Sequence, residues 1–120
     1  MNFIEVLLQL QNQVRICHWQ TDKYSVHKAT DKLYNNLDST IDTFVEQFMG
    51  KYGKIRSEKG FSLQLKNIDE IDINNTVNTV IEYLSKELTT IIKEEDTNLL
   101  NVRDELVGHL QQFKYLLTLN

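Results

Sequence analysis

The stretch His27–Glu46, HKATDKLYNNLDSTIDTFVE, decides how this chain is read. At about 100° per residue with Leu33 set at zero, Val26, Leu37, Ile41, Phe44 and Phe48 fall between roughly 20° and 80°. That is the apolar stripe of a helix facing a core. On the same arithmetic His27, Asp31, Asp38, Asp42 and Glu46 fall between roughly 120° and 220°, on the side away from the core. His27 and Asp31 are four residues apart, as are Asp38 and Asp42, and Asp42 and Glu46. Like charges at that spacing destabilise a helix, and only Lys28 stands close enough to relieve them. A solvated face normally mixes its signs, so this one asks for a purpose.

Outward from this helix the same periodicity recurs. Phe3, Leu7, Leu10, Val14 and Cys17 form one face of a first helix that runs to about Trp19. Asp22 or Ser25 is placed to cap the second helix, and Gly50 and Gly53 to end it. A third helix starts near Asn74 or Asn75, with Val77, Ile81, Leu84, Leu88 and Ile91 on its face. A fourth carries Leu99, Val102, Leu106, Leu110, Phe113 and Leu117. Between the second and third, residues 51–74 hold two of the four glycines and an imperfect alternation of apolar residues. A short helix or a loop packing on the bundle fits that segment better than a strand without a partner. The sequence therefore predicts an all-α, ferritin-like four-helix bundle with a long connection between helices 2 and 3, as one domain over residues 1–120.

Composition agrees and narrows the function classes. Hydrophobic residues at 41% and charged residues at 25%, with no Pro, place the chain among globular helical domains. A net charge of −4 and no run of Lys or Arg argue against nucleic acid as a partner. A single Cys forms no intrachain disulfide, and Cys17 reads as a buried thiol. The start, MNFIEVLLQLQNQV, lacks a basic region before its apolar residues, and no apolar run reaches membrane-spanning length. No membrane partner and a cytoplasmic location are expected.

Two readings of the stripe compete. One is a plain acidic surface. The other is a cation site, for which imidazole with carboxylates suits iron, manganese or zinc better than calcium. One straight helix supplies ligands from one side only. A two-fold interface would close the site, each chain offering the same helix to the other. His18 falls beside the apolar face of helix 1 and reads as a satisfied core or interface histidine. Trp19 is expected to pack at the helix end. His109 follows Glu105 at four residues, which is not the Glu-x-x-His spacing of a bundle-core di-iron centre, and reads as a surface group.

The run His18-Trp19, Tyr24, His27, Asp31, then Asp42 and Glu46 resembles the signature of the Dps miniferritins. That resemblance implies a metal site between subunits. His18, His27 and Asp31 would come from one chain, and Asp42 and Glu46 from its partner. It also implies homo-oligomerisation through helix 2, iron (or another divalent metal such as Zn or Mn) as the bound ion, and oxidation of Fe(II). Trp19 would accept stray oxidising equivalents. The rival expectation is a non-catalytic interaction or structural protein with the same fold and no iron storage, a viral source included.

Overall fold

The computed structural model describes residues 2–119. Four helices form: α1 (Phe3–Gln20), α2 (Tyr24–Tyr52), α3 (Ile73–Ser85) and α4 (Thr97–Leu116). Single 3-10 turns lie at Ile68–Glu70 and Leu88–Thr90, and there is no strand among the described residues. None of these helices is long and apolar enough to cross a membrane.

Local chemistry sets the helix ends. Asn2 caps α1 by accepting from the Glu5 N–H at 2.9 Å, and Glu5 accepts from the Asn2 N–H at 3.1 Å, which is a capping box. Gly53 ends α2 with φ 88°, a left-handed conformation that glycine adopts without strain. Gly50 lies inside the helix instead of ending it. The start of α2 departs from expectation. Lys23 occupies the N-cap and no side chain caps it, so neither Asp22 nor Ser25 serves.

α3 also stops sooner than the apolar pattern predicts. Its last residue is Ser85, whose hydroxyl bonds back to the Ile81 carbonyl at 2.8 Å. The β-branched run Thr89-Thr90-Ile91-Ile92 then resists helix continuation. Leu88 reaches the core from a 3-10 turn, and Ile92 is buried while Ile91 is exposed.

α1 packs on α2 and α3, and α4 packs on the same two. α2 and α3 therefore lie on a diagonal. The short link Thr21–Lys23 sends α2 back along α1. Lys51 and Tyr52 at the end of α2 meet Asp96, just before α4, so α4 runs back along α2. Leu7, Leu37, Phe44, Leu84, Leu99 and Leu106 fill the centre and are essentially inaccessible. Phe3 adds edge-to-face contact with Phe44 at 5.8 Å between ring centres.

The long connection neither forms a full helix nor hangs loose. It climbs α1 as an extended strap. The N–H groups of Ser62, Gln64 and Lys66 donate to Glu5, Gln9 and Gln13 at 2.8, 2.9 and 2.9 Å, and that of Ile68 to Gln20 at 2.8 Å. Four helical residues advance about 6.0 Å and two extended residues about 6.6 Å, so Ser62, Gln64 and Lys66 keep step with Glu5, Gln9 and Gln13, and Ile68 then reaches Gln20 at the end of α1. The alternation of Phe61, Leu63 and Leu65 with the donors Ser62, Gln64 and Lys66 matches this pairing.

Candidate metal centre

The turn between α1 and α2 brings His18 and His27 face to face. Their ring centres are 3.8 Å apart and their planes differ by 18°. His18 Nδ1 lies 2.8 Å from the His27 carbonyl oxygen, and His27 Nδ1 lies 2.9 Å from the His18 carbonyl oxygen. A carbonyl only accepts, so both Nδ1 atoms carry their protons. A neutral ring held this way keeps its lone pair on Nε2, the tautomer a metal ligand needs. The His18 carbonyl belongs to the last turn of α1, where helix carbonyls lack partners, so the His27 ring also caps α1. This reciprocal clamp stands where a side-chain cap of α2 was expected.

Thr30 fixes the pair further. It is fully buried, and its hydroxyl donates to the Val26 carbonyl at 2.7 Å and lies 3.2 Å from His18 Nδ1. Nothing in its sequence position beyond the core side of α2 marks it. Its role appears only when α1 is packed alongside. His18 is 8% exposed, yet no buried side-chain N or O lacks a partner among the described residues. Its unpaired Nε2 therefore reaches the surface. His27 is exposed.

The carboxylates of the stripe are all exposed, as expected for the side of α2 away from the core. Asp38 accepts from Gln11 Nε2 at 3.0 Å. Asp42 stands beside Glu46, and their shared hydrogen bond and mutual repulsion hold the Glu46 carboxyl above its ordinary range. Asp42 is fifteen residues beyond His27, or about 22 Å along a helix. No three His, Cys, Asp or Glu side chains converge on one point among the described residues. One chain thus brings His18 and His27 together, and separately Asp42 and Glu46, but does not join the two sets.

Other readings sort themselves by burial. Cys17 is buried, and burial pushes its thiol up. His109 is half-buried on α4. Trp19 does not pack at the helix end: it is 68% exposed, with the Arg15 guanidinium 5.9 Å from its ring centre. Arg15 is held more closely by Tyr34, at 3.7 Å, which leaves the indole outside.

The sequence pattern missed Asp96 altogether. It is 1% exposed and accepts from the Lys51 ammonium, the Tyr52 hydroxyl and, at 2.8 Å, the Lys93 N–H. The Lys51 partner above all holds its carboxyl down at about 2. An aspartate just before an apolar helical run was the available signal, but it points to a cap, not to a buried ion pair.

The chain belongs to a family of unknown function, DUF5856, whose model matches residues 18–117. It is similar to an uncharacterized 14.6 kDa protein of Enterobacteria phage T4 from the mobD-ri intergenic region. The two are 26% identical over 117 residues, covering 98% of this chain and 86% of the phage protein. No solved structure matches. These findings correct the kinship read from the sequence: the family is DUF5856, and no Dps or ferritin-like family matches. The reason lies in the motif. A helix imposes four-residue spacing on any residues that share a face, so such spacing says little about descent.

Proposed function

We propose that this chain binds a divalent transition metal at the His18–His27 pair, in a site completed by a second copy. The reciprocal clamp carries the reading: both imidazoles are held by Nδ1 with Nε2 free. Orientation of this kind, in which the far ring nitrogen is fixed by a backbone carbonyl, is what metal-binding histidines require. Asp31 lies one turn beyond His27 on the same exposed face and would add a hard oxygen ligand. Asp42 and Glu46 of the second copy would supply the rest. Holding two carboxylates together without a cation costs repulsion, and a shared cation would relieve it.

Iron is the first ion to test, as substrate. Carboxylates stabilise Fe(III) over Fe(II), since the higher charge gains more from anionic ligands. Two Fe(II) would each give one electron to one peroxide; its O–O bond breaks and, with two protons, two waters leave. The ferritin-like layout of the bundle is proposed on the course of its connection alone, which climbs α1 to join diagonal helices, and not on kinship. The rival, a metal-free interaction protein, draws support from the exposed Trp19 and Tyr24.

Anaerobic titration with Fe(II), and separately with Zn(II), followed by peroxide for the iron sample, tests the reading. Saturable binding that His27→Ala abolishes is the expected result. No binding of either ion at concentrations where the protein is dimeric would remove it.

A further inference from the structure

The face shared by α1 and α2 is unlike at its two ends. At one end Trp19 and Tyr24 protrude, 68% and 72% exposed. Arg15 and Lys28 lie over them, the Arg15 guanidinium 5.9 Å from the Trp19 ring centre and the Lys28 ammonium 5.7 Å from that of Tyr24, with Asp22 and Lys23 exposed in the same turn. At the other end lies a cleft of about 410 Å³, walled by Leu8, Ile41, Val45, Met49, Ile55 and Phe61. Asp38 and Asp42 stand on its rim, and Glu46 follows one turn along. Phe61, brought there by the strap, is 47% exposed. Between residues 38 and 49 there are three carboxylates and no basic residue.

Tyr24, His27, Asp31, Asp38, Asp42, Val45 and Met49 share one side of α2 by helical arithmetic, between roughly 120° and 180°. A two-fold axis across the middle of that side carries each end onto the other. Protruding aromatics then meet an apolar cleft, and cations meet carboxylates, twice over. We infer that two copies of this chain pair antiparallel along α2, each seating Trp19 and Tyr24 in the partner's cleft beneath Phe61 and Met49. This deepens the proposed function and rests on its second copy: the same pairing sets His27 and Asp31 opposite Asp42 and Glu46. Large aromatic side chains flanked by charge are the usual anchors of such interfaces.

The test runs in EDTA, so that pairing and metal binding fail separately. Tyr24→Cys/Met49→Cys is treated with a short bis-maleimide; Cys17 is buried and stays unreactive. Within one chain the two positions are about 37 Å apart along α2, beyond the linker's reach. A covalent species of twice 14.1 kDa from the double variant, and none from either single variant, is expected. Trp19 is the sole tryptophan, so in the unaltered protein its emission should shift to the blue as concentration rises and dimer forms. A monomer at all concentrations, or a dimer that neither cross-links nor shifts Trp19, overturns the inference. A cross-linked dimer that binds no metal sustains it and removes the metal reading instead.

Discussion

Two polar constellations lie at opposite ends of α2, and they differ in what they leave open. At the far end, Asp96 is buried and its carboxylate is taken up by Lys51, Tyr52 and the Lys93 N–H. Nothing remains for a ligand, and the network ties α2 to the loop before α4. At the near end, His18 and His27 satisfy each other's backbone through Nδ1 and keep both Nε2 atoms unpaired at the surface. Both are dense in hydrogen bonds. Only the second has valences left over, which is why perturbation of charge alone, strongest at Asp96, marks structure here and not the candidate site.

Breaking the closed constellation should have the largest effect on folding. Asp96→Ala leaves the Tyr52 hydroxyl and Lys51 ammonium without their acceptor, and the Lys93 N–H with them. We expect the greatest fall in melting temperature of any variant considered, with metal binding by the folded protein unchanged. Since Asp96 is held at about 2 against an ordinary 3.8, its contribution is full above 3.8 and fades as pH falls toward 2. Acid unfolding followed by circular dichroism should therefore be less steep over that range in Asp96→Asn. An equally steep curve would show that other carboxylates dominate.

The open constellation should respond in the opposite sense. His27→Ala is expected to abolish metal binding while changing stability by about 1 kcal/mol or less, as its ring is exposed and loses one capping bond. His18→Ala should lose binding and also about 1–3 kcal/mol, since it empties a buried position and takes away the donor to the His27 carbonyl. Calorimetric titration beside thermal melts separates the two. Full metal affinity in His18→Ala would confine the site to His27 and the carboxylates.

Thr30→Val sharpens the comparison at smaller scale. The shape is kept and the hydroxyl beside His18 Nδ1 is lost. About 1 kcal/mol of stability and roughly 10-fold in metal affinity should go, the lower end for residues that orient metal ligands. An affinity equal to the parent would mean that the His27 carbonyl alone holds the ring.

The smallest effect belongs to the stripe. Asp42→Asn/Glu46→Gln should melt at the same temperature as the metal-free parent or slightly higher, because the repulsion that raises Glu46 is gone. Added Zn(II) should raise the melting temperature of the parent and not of this variant. The same metal-dependent rise in both would exclude Asp42 and Glu46 from the site.

The sequence by itself determined the four helices, the outward side of α2 and most of the buried positions, Ile91 excepted. Periodicity carries that information, since a residue's angle around a helix follows from its number alone. His18 and His27 were readable as candidates from residue type and place. Descent was not readable from the same spacing, and the family comparison corrected it. Tertiary structure decided what depended on two distant segments meeting. The strap pinned to Glu5, Gln9, Gln13 and Gln20 and the burial of Asp96 both do so. So does the tautomer of the two histidines, for it is set by carbonyls nine residues away that lie close only once α2 has turned back on α1. A hydrogen bond fixes a proton by position, and position across a turn is not encoded in the periodicity of either helix.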